Sequence, residues 1–186
     1  MEIEMNPAKC LVTVFALALA PLAQGFELVS NDIQAGKSMP KAQEYRGFGC
    51  DGDNLSPQLA WRDVPADTKS FAITAYDPDA PTGSGWWHWI AYNLPADVRE
   101  LPRNAGDPTA AVAPAGMTQH RTDYGTTGFG GACPPKGDKA HRYQFKVFAL
   151  DVERLDIDPE SSAAFVGYML NSHKIGVAGL EALYKR

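Results

Sequence analysis

Cysteine is scarce in this sequence of 186 residues, which has three, and none of them belongs to a Cys-x-x-Cys pair. No His-x-x-x-His appears either, so the usual ligand spacings of a zinc site are missing. There is no Gly-x-Ser-x-Gly elbow to present an activated serine. Positive charge is not in excess: 17 Lys plus Arg stand against 22 Asp plus Glu, giving a formal charge of -5 and a pI near 5.3. That balance leaves no basic footprint for nucleic acid or an anionic membrane, and no block of like charge marks a tail. Long hydrophobic runs are absent with one exception, CLVTVFALALAPLA from Cys10 to Ala23, which is too short to span a bilayer.

That run follows Lys9 and gives way to small residues, the pattern of a cleavable export signal covering residues 1–25. The competing reading is a buried N-terminal helix. Removing residues 1–25 leaves 20 acids, 16 Lys plus Arg and two cysteines, Cys50 and Cys133. In an oxidising periplasmic or secreted setting that even pair is expected to form a disulfide.

Residues 26–186 show no repeat or linker and are expected to form a single domain. Glycine (17) and proline (14) interrupt the chain every few residues, which favours strands and loops. Runs rich in aromatic and β-branched residues predict strands at Phe26–Ser30, Ser70–Asp77, Trp86–Leu94 and Arg142–Asp151. A short helix is expected near Ser161–Asn171, with Ser161 or Ser162 as cap, and a second over Gly176–Lys185. The class is mainly β. Strict alternation would place Phe71, Ile73, Ala75 and Asp77 on one face. It would do the same for Trp86, His88, Ile90 and Tyr92, with Trp87 and Trp89 opposite, and for His141, Tyr143, Phe145, Val147 and Ala149. Each strand then carries a polar group at the end of an apolar face, which predicts a core closed by a polar pocket.

Three chemistries suit two carboxylates and two histidines. A metal site lacks ligand spacing, and hydrolysis lacks a nucleophile in a recognisable frame. Anion binding fits better. His88 and His141 would donate hydrogen bonds, Tyr143 would add a hydroxyl, and backbone N–H groups of FGGACPPKG, Phe129–Gly137, would form a nest. Asp77 and Asp79 would hold the histidines protonated or correctly oriented, raising their basicity, and Trp86 would wall the site. Each piece also has a plainer reading: Asp-Pro-Asp-Ala-Pro as a capped turn, the tryptophans as core, His141 as structural.

Taken in order, Asp77-Pro78-Asp79-Ala80-Pro81, Trp87-His88-Trp89, Gly131-Ala132-Cys133-Pro134-Pro135-Lys136-Gly137 and His141-Arg142-Tyr143 resemble the phosphatidylethanolamine-binding protein family. Asp51-Gly52-Asp53-Asn54-Leu55-Ser56-Pro57 and Pro81–Trp89 resemble its bacterial YbhB/YbcL branch. The resemblance implies a large central β-sheet packed against a smaller sheet with a few peripheral helices. It further implies a pocket for phosphate, acetate or a phosphoethanolamine head group, formed by Asp77, Asp79, Ala80, Pro81, Trp86, His88, Gly131, Pro134, Pro135, His141 and Tyr143. No cofactor, metal or catalysis is implied, and a homodimer is. Family members include phospholipid binders and inhibitors of kinases and proteases, so a protein partner gripping the pocket rim is the alternative. Selectivity is expected from rim loops such as Arg103–Arg121. His141, read as partly exposed, should cost no more than about 1 kcal/mol of stability when truncated to alanine.

Overall fold

Three long strands supply the frame, and their composition dictates their form. β5 (Ser70–Asp77), β6 (Trp86–Pro95) and β9 (His141–Leu150) are dense in aromatic and β-branched side chains, which fit a pleated, buried surface. This computed structural model describes residues 1–2 and 25–186, so all but the ends of the expected export signal lies outside the described residues. With β8 (Thr118–Gln119) and β10 (Lys174–Tyr184), the long strands make an antiparallel five-stranded sheet in the order β10-β9-β5-β6-β8. A smaller sheet, ordered β1-β4-β7, comprises β1 (Glu27–Val29), β4 (Leu59–Arg62) and β7 (Glu100–Leu101), while β2 (Arg46–Gly47) and β3 (Cys50–Asp51) form a hairpin.

Both faces of the large sheet are covered. On one, Phe71, Ile73 and Ala75 of β5 and Phe145, Val147 and Ala149 of β9 pack against Leu28, Leu59, Trp61 and Leu101 of the small sheet. On the other, Ala72, Ile90, Tyr92 and Phe148 meet Val166 and Leu170 of α1 (Ala163–His173). Full burial of each large apolar side chain contributes roughly 1.5–3 kcal/mol, so these two layers hold the sheet flat against its neighbours. α1 begins as expected, with the Ser162 side chain accepting the Phe165 N–H at 3.2 Å.

Two readings of the sequence fail here. Gly176–Lys185 is not helical: it belongs to β10, which pairs with β9 from Lys174 opposite Leu150 to Tyr184 opposite His141. Ala178, Leu180, Ala182 and Tyr184 are buried, a period of two. The Ala, Leu and Glu content favours helix by only tenths of a kcal/mol per residue, which a full ladder and a buried face outweigh.

Strict alternation also fails in β6. Ala75 faces Trp89 while the next residue of β5, Tyr76, faces Trp87, so His88 is the extra residue of a β-bulge. The bulge resets the alternation. His88 lines the cavity at the mouth of the core that holds Trp89 and Ala91, and Ile90 and Tyr92 go to the helix-covered face. Trp87 packs on that second face, but Trp89 does not accompany it as expected.

Candidate functional site

Where β5, β6 and β9 end together, their polar residues converge. Asp77 is the last residue of β5 and lies opposite Trp86, the first of β6, while His141 opens β9. The result is a cavity of about 160 Å³ at the end of the core. Asp77, Trp86, His88, His141 and Tyr143 line it from the strands; Ala80 and Pro81 line it from the following turn, and Pro134 and Pro135 from a facing loop.

The buried polar groups are linked. His141 Nδ1 donates to Asp77 Oδ2 at 2.8 Å, and Asp77 Oδ1 accepts the Asp79 N–H at 2.8 Å, with Asp77 and His141 both 2 % exposed. His88 Nδ1 donates to the Gly130 carbonyl at 2.7 Å, which leaves Nε2 as the free ring atom. Burial pushes the His88 imidazole below its ordinary pKa and outweighs the opposing pull of Asp77, so the expected rise in basicity does not hold for this ring, which is neutral at neutral pH with Nε2 as an acceptor. Burial pushes the Tyr143 phenol upward, keeping it a neutral donor. Among the described residues Trp86 Nε1 is buried with no hydrogen-bond partner, as are Trp61 Nε1 and the Gln43 amide away from the cavity, while the Tyr143 hydroxyl, outside normal hydrogen-bond geometry, has the Asp77 carboxylate beside it.

Two expected site residues are elsewhere. Asp79 does not face the cavity or a histidine: its carboxylate accepts two bonds from the Arg142 guanidinium and one from the Arg142 N–H, at 2.9–3.0 Å. The alternation of β9 explains this, since Arg142 points away from the face shared by His141 and Tyr143. Gly131 also lies off the cavity wall. A Cβ there would sit 2.4 Å from the Gln43 carbonyl, so glycine is required by backbone packing rather than by ligand approach.

The first four residues of the expected nest do not serve it. The N–H groups of Phe129, Gly130, Gly131 and Ala132 donate to Gly106 O, His88 O, Asn54 Oδ1 and Gln43 O respectively, so the loop gives walls and no donors from these four. Residues 103–121 contribute nothing to the cavity lining. Sequence reasoning missed Phe48, Thr82 and Tyr124, which do line it, as does Cys133 of the expected pocket loop. Phe48 had a signal in its neighbour Cys50, whose bridge to Cys133 carries the segment to the rim; Tyr124 had none. That bridge is present, across 83 residues.

The Arg142 guanidinium beside Asp79 holds its carboxyl down at about 2, from 3.8. Because the folded value is depressed, the stability this pair contributes is complete above about pH 4 and disappears as the pH falls toward 2. Asp79→Asn should therefore cost about 1.5 kcal/mol at neutral pH, kept modest by the half-exposed Arg142, and almost nothing near pH 2. Urea denaturation of both proteins at the two pH values checks this. An equal loss at both would deny the ion pair its role.

Among the described residues, no group of three or more His, Cys, Asp or Glu side chains is placed to hold a metal ion. The family model described as Phosphatidylethanolamine-binding protein matches residues 29–185. Among curated relatives, the Escherichia coli UPF0098 protein YbcL is 52% identical over 174 residues, 93% of this chain and 95% of that protein. The Escherichia coli UPF0098 protein YbhB is 53% identical over 158 residues, 85% of this chain and 99% of that protein. The crystal structure of Escherichia coli YbcL, described there as a new member of the mammalian PEBP family, superposes with a TM-score of 0.85. The match is 53% identical and covers 88% of this chain and 99% of that one.

Proposed function

Because this chain belongs to the phosphatidylethanolamine-binding protein family, we propose that it is an exported, non-catalytic protein whose cavity binds a phosphate-type anion such as a phosphoethanolamine head group. One observation carries this reading. Trp86 Nε1 is a buried donor without a partner among the described residues, in a cavity that also presents the Tyr143 hydroxyl, His88 and His141. An unsatisfied buried donor costs about 1–3 kcal/mol, and an anionic oxygen accepting from Trp86 Nε1 would remove that cost.

The cavity side chains suit an anion in other respects. His141 is held by Asp77 through Nδ1, which turns Nε2 away from the carboxylate, and an exposed Asp138 carboxylate 3.5 Å from Nε2 is a partner an incoming anion would displace. His88 must change state: a neutral Nε2 repels an anionic oxygen, whereas a protonated one donates to it. Anion binding thus raises the His88 pKa from its depressed value and takes up a proton. The sign follows directly. Affinity is highest at low pH, where His88 is already charged, and weakens by up to about tenfold per unit as the pH rises above the depressed value of the free protein. No side chain here is set up as a nucleophile, which is why the reading is binding and not turnover.

Calorimetric titration of residues 26–186 with phosphoethanolamine and inorganic phosphate tests the reading. Sulfate, whose own charge is constant across the range, serves for the pH series. Saturable binding that strengthens from pH 8 to pH 6, with proton uptake seen as a buffer-dependent heat, is the expected result. No saturable heat with any of the three anions would sink it.

A further inference from the structure

The mouth of the cavity carries a residue that folding itself does not explain. β2 and β3 are joined by a two-residue loop, Phe48–Gly49, with φ of 52° and 79°. Two positive φ values in a two-residue hairpin are those of a type I′ turn, whose first position favours Asn, Asp or Gly. A phenylalanine there carries a Cβ that the left-handed region disfavours. It also gains little from burial, being 70% exposed. The backbone disfavours Phe at this position, yet its ring lines the cavity and meets Tyr45 and Tyr124 there.

The ring is also held firmly. Cys50, just after the turn, is bridged to Cys133 on the cavity wall. Arg186 donates to the Gly49 and Pro134 carbonyls at 2.7 and 2.6 Å, tying the turn to the same wall. Inside the lip the Phe48 ring lies nearly parallel to Tyr124, with centroids 5.7 Å apart, and Tyr124 stacks on Tyr45 at 4.1 Å. Tyr124 is fixed at its other end, where its hydroxyl donates to the Gly131 carbonyl at 2.8 Å. Phe48 and Tyr124 thus make one aromatic surface lining the same cavity as Tyr143 and Trp86.

We propose that Phe48 is a specificity-determining residue, which makes the cavity prefer organic phosphate monoesters bearing a flat unsaturated group over the bare anion. This rests on the reading of the cavity as an anion site. The phosphoryl oxygens occupy the floor, and the ester group leaves across Phe48 and Tyr124, where a planar face gains stacking contact with a surface already in place.

The test uses the oxidised protein, inorganic phosphate and phenyl phosphate, with Phe48→Asn as the variant. Asparagine before Gly49 restores the residue pair that the turn prefers, which keeps the hairpin while removing the ring. The native protein should bind phenyl phosphate about tenfold more tightly than inorganic phosphate. In Phe48→Asn that preference should vanish, the ratio of the two affinities falling from about ten to about one. A preference that survives in the variant, or is missing from a native protein that still binds inorganic phosphate, overturns the inference and leaves the anion site standing. A lowered Tm with equal losses for both ligands assigns Phe48 a structural role and overturns it as well. Failure of the native protein to bind inorganic phosphate at all removes the anion site, and this inference with it.

Discussion

His141→Ala should destabilise the protein by about 3 kcal/mol, and the same change should abolish anion binding. The size follows from burial. Asp77 and His141 are each 2% exposed and joined at 2.8 Å, so truncation leaves a carboxylate in the interior with the Asp79 N–H as its remaining bond. Breaking a buried pair by removing one partner typically costs about 3–5 kcal/mol, and the lower end applies because of that remaining bond. Against a total stability of about 5–15 kcal/mol, this is a large fraction. The expectation from sequence, a cost of no more than about 1 kcal/mol, assumed a partly exposed side chain and is overturned by the burial. Denaturant titration of His141→Ala, Asp77→Asn and the double variant separates the contributions. The double variant should be less destabilised than the sum of the singles, since removing the carboxylate charge relieves the main penalty. Simple additivity would show that Asp77 rehydrates and that the pair is not coupled.

Loss of the Cys50–Cys133 bridge is the other large effect. The bridge closes a loop of 83 residues, for which the chain-entropy relation gives about 4.5 kcal/mol; measured values commonly fall below it, so about 3–4 kcal/mol is expected for the Cys50→Ser, Cys133→Ser double variant. The consequence reaches the cavity, because the bridge fixes both the Phe48 turn and the Cys133 wall. Binding should weaken more for phenyl phosphate than for inorganic phosphate. Intact mass of the protein recovered from the exported fraction, alkylated without reductant, should show neither cysteine labelled and residues 1–25 removed. Labelling at Cys133 would refute the bridge, and a retained N-terminus would refute the export signal.

Much of the framework could be read from the chain because its long strands are locally consistent. In β5 and β9, alternation alone placed Phe71, Ile73 and Ala75, and Phe145, Val147 and Ala149, on the core face. The bulge at His88 was invisible because no glycine or turn residue marks it; a register shift is a property of the pairing with β5. β10 was misread for the opposite reason, since its local composition points to helix and only the ladder to β9 decides. At the site, nine of the eleven expected residues line the cavity. Those were carried by strand ends and by motif resemblance. Asp79 and Gly131 sit in the same motifs but answer to Arg142 and to the Gln43 carbonyl, contacts across 63 and 88 residues that no spacing reveals. Tyr124 comes from a loop without any regular pattern, and Phe48 needed the disulfide to bring it into place.

The four tryptophans are distributed in a way that makes the protein its own optical probe. Trp61 and Trp89 are sealed in the core at 3% and 0% exposure, and Trp87 packs on the helix-covered face. Trp86 alone borders the cavity, edge-on to Tyr124 at 5.4 Å and with its indole N–H unpartnered. Occupancy of the cavity should therefore alter the emission of one fluorophore over a constant background, and protonation of His88 beside it should quench that emission further. Trp86→Phe removes the signal without touching the other three indoles, so ligands can be screened by intrinsic fluorescence with no label attached.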